Sequence, residues 1–214
     1  MMTRCKWMRR RMPAVMGALA VALAGCAALP GNQPLPRLFV LTPKSTFASD
    51  LPKANWQLTV SKPLAEAGLN TARIALRHSP VTLQYFARAN WVDTAPIMVQ
   101  TLIVESFENS GKIVAIGRQS VSLRADYSLI PELREFQAEY DGGSTPVVRV
   151  RINAKLVKMP QREIIATITA ENKVAAANSD LESVVLAFDT ALGKTLKRLV
   201  EWTLRTVPPK KPRR

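Results

Sequence analysis

The strongest constraint on the fold is a period of two that starts at Val148. Val148, Val150, Ile152, Ala154 and Leu156 are apolar, while Arg149, Arg151, Asn153 and Lys155 between them are polar. Side chains on a strand point alternately to opposite faces, so this pattern specifies a strand with one buried and one wet face. A slip of one residue would invert every side chain, which pins the register. After Met159-Pro160-Gln161 the apolar side resumes at Ile164, Ala166 and Ile168. Two such runs with a turn between them predict an antiparallel hairpin.

The same period recurs upstream. Trp56–Lys62 alternates Leu58 and Val60 with Gln57, Thr59 and Ser61, and Pro63 ends it. Ala72–His78 alternates Ile74 and Leu76 with Arg73 and Arg77, and Val81–Ala87 alternates Leu83 and Tyr85 with Thr82 and Gln84, with Ser79-Pro80 as a tight turn between them. Arg37–Thr42 reads as a strand stopped by Pro43, Ile113–Ile116 as a short one, and Leu133–Tyr140 sets Phe136, Ala138 and Tyr140 against Glu135, Gln137 and Glu139.

Two stretches carry the helical period instead. Asp93 and Thr94 supply a cap, Pro96 suits a first turn, and Val99, Leu102, Ile103 and Phe107 recur before Asn109-Ser110-Gly111. Ser179 and Glu182 predict a capping box for a long last helix, with Leu181, Val184, Val185, Phe188, Leu192, Leu199 and Val200 as its apolar stripe and Pro208-Pro209 past its end. Acids (Asp180, Glu182, Asp189) lead its first half and bases (Lys194, Lys197, Arg198, Arg205) its second, as the helix dipole favours. The expected fold class is α/β in the α+β sense: a mainly antiparallel sheet with two helices packed on one face, the longer one C-terminal.

The first 36 residues follow different rules. A basic cluster (Arg4, Lys6, Arg9, Arg10, Arg11) precedes an apolar run from Ala14 to Leu23, the layout of an export signal. That run is about half of the roughly 20 residues that a bilayer-spanning helix needs. Leu23-Ala24-Gly25-Cys26 resembles a bacterial lipobox. The resemblance implies that residues 1–25 are a lipoprotein signal peptide, cut before Cys26, whose thiol takes a diacylglyceryl group and whose new amine is acylated. An ordinary secretory signal or an uncleaved apolar anchor is the alternative. Acyl chains contribute about 0.8 kcal/mol per buried CH₂, and a second chain turns marginal binding into durable attachment. Ala27, rather than Asp, follows the cysteine, which resembles lipoproteins sent to the outer membrane. Residues 26–36, with Pro30, Pro34 and Pro36, read as a lipidated tether reaching roughly 35 Å when extended.

With 214 residues in all, one domain over 37–207 and a disordered basic tail over 208–214 account for the remainder. The two cysteines are Cys5, in the leader, and Cys26, so the processed chain keeps no thiol pair for a disulfide. The formal net charge is +14, and the five bases of the leader take it to +9. An exported, lipidated chain does not meet nucleic acid. Its suitable partners are therefore the membrane, through its lipid anchor and anionic headgroups, or acidic protein surfaces, unless the excess charge is simply spread over a solvated surface. In the tail, Lys210, Lys211, Arg213 and Arg214 read either as a headgroup contact, about 1 kcal/mol per basic residue near an anionic surface, or as a solvated end.

Active-site chemistry is not expected. The single histidine, His78, falls on the same predicted side as Ile74 and Leu76 and reads as a packed or strand-end residue. No cluster of ligands at zinc spacing and no glycine-rich phosphate loop occurs, so no metal or cofactor is expected. Glu105 with Glu108, and Glu132 with Glu135, are carboxylate pairs at helical spacing of a kind common on solvated helices. Trp56, Trp91 and Trp202 read as packing residues or as the lining of an apolar lipid groove.

Several segments together resemble the ABC-type transport auxiliary lipoprotein family, which includes the paraquat-inducible protein C lipoproteins. They are Phe39-Val-Leu-Thr-Pro43, Val60 with Pro63, Arg73-Ile-Ala-Leu-Arg77, Tyr85-Phe86-Ala87 leading to Trp91-Val-Asp-Thr-Ala-Pro96, and Val99-Gln100. The series continues through Phe107-Glu-Asn-Ser-Gly111, Leu133-Arg-Glu-Phe-Gln-Ala-Glu-Tyr140, Ala187-Phe-Asp189 and Trp202-Thr203. Ser61-Lys62 before Pro63 departs from relatives that often carry an arginine there. The resemblance implies a non-enzymatic periplasmic subunit at the outer membrane. Its partner would be the mammalian-cell-entry-domain substrate-binding protein of an ABC transporter that moves phospholipid or related lipid between membranes. A structural or assembly lipoprotein that binds cell wall or a barrel protein is the alternative.

Overall fold

The computed structural model describes residues 35–119 and 124–209. The strands are β1 (Arg37–Phe39), β2 (Ala54–Val60), β3 (Leu64–Ala65), β4 (Arg73–Ser79), β5 (Thr82–Trp91), β6 (Ile113–Arg118), β7 (Tyr127–Glu139), β8 (Val147–Lys158) and β9 (Glu163–Ala175). Helix α1 (Ala95–Ser110) lies between β5 and β6, and α2 (Leu181–Thr206) follows β9.

The trunk of the sheet is β7. One edge pairs along its length with β8, antiparallel from Tyr127↔Lys158 to Glu139↔Val147, and β8 pairs in turn with β9. The other edge is shared by three parallel partners in chain order: β2 from Tyr127 to Leu129, β3 at Glu132 and Leu133, and β4 from Gln137 to Glu139. From there the sheet forks, β2 taking β6 on its free edge and β4 taking β5 and then β1. The sheet is mixed, and most of its paired residues lie in the antiparallel ladders β4–β5, β7–β8 and β8–β9.

Both helices cover one face. Along β8 the even residues Val148 to Leu156 are fully buried beneath them. Trp91, Phe136 and Phe188 meet at the centre, with ring centroids 5.0–5.6 Å apart, and tie β5, β7 and α2 into one core. Aromatic clusters of this geometry are worth more than the area they bury. Segment 37–50 runs along α2 from its start to its end. Arg37 pairs with Glu182, Thr42 N donates to Asp189 Oδ1 (2.6 Å), Ala48 N to Glu201 Oε1 (2.9 Å), and Arg205 Nη2 to Asp50 (2.9 Å).

The elements differ from the sequence reading in particular places. β1 stops at Phe39 because Leu41 turns into the core and the Thr42 amide is spent on Asp189. β7 starts six residues before Leu133 and runs through Pro131. A proline is tolerated there because the parallel ladder pauses between the last β2 pair at Leu129 and the first β3 pair at Glu132. The long helix is capped by Asp180, whose Oδ1 accepts from Ser183 N at 2.9 Å, and not by a Ser179–Glu182 box, since Glu182 is drawn to Arg37. Thr94 makes no side-chain cap for α1, but Gly111 closes it in the left-handed conformation (φ 60°). The apolar side of β9 fades toward the hairpin turn, where Ile164 is 55% exposed.

Candidate functional site

The helix-free face of the sheet carries a ladder of opposite charges. Registry places Glu135 opposite Arg151, and Gln137 opposite Arg149, so the polar positions of β7 meet the polar positions of β8. Glu135 takes Arg149 Nε at 2.5 Å and Arg151 Nη2 at 2.8 Å, and Arg149 Nε also reaches Glu171 on β9 at 2.8 Å. Glu139 stands 3.8 Å from Arg149 and 3.9 Å from Arg77 on β4. Burial works against the charge on Arg149, yet the hydrogen bond to Glu171 and the fields of Glu135, Glu171 and Glu139 raise its pKa. The glutamates at the middle of this ladder are only 12–13% exposed, so removing one partner leaves a poorly solvated charge.

Beside the ladder, open grooves of about 440 and 340 Å³ share Glu66, Arg134 and Arg151. Their rims carry the exposed Leu64 and Val81. On the other side of the domain a cleft of about 400 Å³ lies between Ile168 of β9 and the second half of α2, where Lys194, Lys197, Arg198, Trp202 and Arg205 line it.

The candidate residues separate rather than gather. His78 is an exposed strand-end residue stacked on Tyr140 at 4.6 Å, where β4 runs out past the core that takes Ile74 and Leu76. Glu132 and Glu135 are not on a helix. Both lie on β7, where Glu132 pairs with Arg134 and Glu135 with Arg149 and Arg151. Glu105 and Glu108 lie on the outer side of α1. Trp56 and Trp91 are fully buried in separate contacts, with Tyr127 and with Phe136 and Phe188, while Trp202 is half-buried in the α2 cleft, so the three line no common groove. Leu23, Ala24, Gly25 and Cys26, and Lys210, Lys211, Arg213 and Arg214, lie outside the described residues. What the sequence reading missed is the charge ladder. Its signal was the run of alternating Arg149 and Arg151 matched by Glu135 and Glu139, which becomes a contact only once the β7–β8 register is known.

Residues 39–200 match the model of the family described as the ABC-type transport auxiliary lipoprotein component. The chain belongs to that family. That family is described as an auxiliary component of ABC-type transport and is not a known enzyme family. No helix among the described residues is long and apolar enough to cross a membrane. The auxiliary lipoprotein is similar to protein XCC0632 of Xanthomonas campestris, a DUF330 protein, at 34% identity and a TM-score of 0.76, over 79% of this chain and 95% of that one. A second crystal structure, of an uncharacterized protein, shares the fold at 15% identity and a TM-score of 0.59, over 76% of this chain and 99% of that one. Uncharacterized protein bll6063 of Bradyrhizobium diazoefficiens is 30% identical over 151 residues, which are 70% of this chain and 40% of that protein. The chain thus spans well under half of that relative.

Proposed function

We propose that this protein is a lipid-anchored, periplasmic auxiliary subunit of an ABC-type transport system, held at the outer membrane by acylated Cys26. In this reading residues 1–25 are the signal peptide, with Leu23, Ala24 and Gly25 as the recognition segment, residues 26–36 the tether, 37–207 the working domain and 208–214 a disordered basic tail. The partner is the mammalian-cell-entry-domain substrate-binding protein of the transporter, and the cargo is phospholipid or a related lipid passing between inner and outer membranes. The domain acts as an adapter and performs no catalysis. The observation that carries the reading is the family match over residues 39–200, supported by the lipobox-like Leu23-Ala24-Gly25-Cys26 and the proline-rich stretch that precede it in the sequence.

Affinity purification of the native lipoprotein from solubilised envelopes tests it. The expected result is recovery of a permease, an ATPase and a mammalian-cell-entry protein together. Recovery of cell wall or a barrel protein without an ABC partner would replace this reading with that of an assembly lipoprotein. The anchor has its own test: C26A should leave the protein soluble or unprocessed, and normal processing and membrane attachment of that variant would overturn it.

A further inference from the structure

We infer that the cleft between α2 and β9 binds the phosphate of anionic phospholipid headgroups, with Lys194 and Arg198 as the phosphate ligands and Trp202 and Ile168 as the apolar contact to the glycerol and upper acyl region.

Four cations line this cleft, and they are not equivalent. Arg205 is held by Asp50 at 2.9 Å, and Lys197 stands 3.9 Å from Glu201. Lys194 and Arg198 are exposed and have no ion-pair or hydrogen-bond partner among the described residues. They lie four apart on α2, so they project from one side of the helix one turn from each other, the spacing at which two cations share one phosphate. The one acid in the cleft does not answer them, because Glu201 accepts from the amide of Ala48 at 2.9 Å. Like charges one turn apart disfavour the helix unless an anion joins them. The cleft beside them has an apolar part, lined by the half-buried Trp202 and by Ile168. An indole beside lysine and arginine on an amphipathic helix is the side-chain set of a membrane–water interface. An acidic protein surface would satisfy the cations but would leave that apolar part without a partner, so the lipid is the better occupant.

The inference does not depend on the transporter partner.

Tryptophan quenching of the full lipidated protein in nonionic detergent micelles tests it. Trp56 and Trp91 are 1% exposed and shielded, and Trp7 leaves with the signal peptide, so acrylamide reads Trp202. Doping the micelles with phosphatidylglycerol should protect Trp202 in a saturable way that high salt reverses, while phosphatidylcholine should not. The K194Q/R198Q protein should need about tenfold or more extra phosphatidylglycerol for the same protection, since each base contributes near an anionic surface. Thermal unfolding run alongside shows that the variant is folded, as expected for two exposed positions. Equal protection by phosphatidylcholine, or unchanged protection in the variant, overturns the inference. Inorganic phosphate at millimolar concentration should not displace the lipid; full displacement would make this a small-anion site and overturn the lipid assignment. No protection by any lipid would leave the cleft to an acidic protein and equally overturn it.

Discussion

The two faces of β7, β8 and β9 are made of the same three strands, and they are held together by opposite means. On the helix side Val148, Val150 and Ile152 alternate with the residues of the other face and bury fully against α2, with Phe136 and Phe188 in contact. That side is non-directional: it asks only for apolar volume that fills the space. On the open side Arg149, Arg151, Glu135 and Glu171 form a ladder in which each member depends on a partner at 2.5–2.8 Å. The lesson is that alternation writes two codes into one strand. The apolar code sets how stable the domain is, and the charged code reinforces the register, because a strand slipped by one residue would turn these charges toward the core.

Truncation at the aromatic centre should have the largest effect. F188A removes a fully buried ring that touches Trp91 and Phe136, and should cost about 3–5 kcal/mol in chemical denaturation. A loss no greater than that of an exposed substitution would mean the helix face is not the main source of stability. The ladder should come next. E135Q leaves Arg149 and Arg151 with a neutral partner, and about 1–3 kcal/mol is expected from the loss of a charged acceptor. Replacing Glu135, Glu139, Arg149, Arg151 and Glu171 together by apolar residues should recover much of that loss, as partly buried ion pairs do when removed whole. If that combined variant is instead the worse of the two, the ladder contributes stability beyond register.

Smaller effects lie at the ends of α2. D180A removes the cap on Ser183 N and should lower the melting temperature less than either change above. Acid should act here as well. The hydrogen bonds from Ser183 hold Asp180 below its ordinary pKa, that from Arg37 does so for Glu182, and that from Arg205 for Asp50. A carboxylate with a lowered folded pKa contributes stability above its unfolded value and loses it as pH falls through the folded one. The melting temperature should therefore be flat from neutral pH to about 5 and fall below about 4, less steeply in D180A, in line with ordinary carboxylate values. The smallest change should be D50N, whose pair with Arg205 is exposed and screened, and its effect on melting should be close to the measurement error.

Much of the fold was legible because periodicity is a local property. The β4–β5 hairpin, the β8–β9 hairpin, both helices and the one-sided helix layer can be read from residue spacing alone, and the structure contains them. The parallel pairings were not legible, since β2, β3 and β4 reach β7 across more than fifty residues of intervening chain and no local signal marks the partner. For the same reason the start of β7 was lost: its first residues do not alternate cleanly, and Pro131 is acceptable only because of a gap in a neighbouring ladder.

The sequence by itself determined the two hairpins, the helices, the family, and the expectation of a lipid-anchored chain without active-site residues, because each rests on neighbouring residues or on motifs in order. Only the tertiary structure decided that Glu182 binds Arg37 instead of capping its own helix, that the tryptophans lie apart, and that Lys194 and Arg198 are left without counter-charges beside Trp202. Those outcomes depend on which distant groups arrive at the same place, and electrostatic and packing partners are chosen in space, not along the chain.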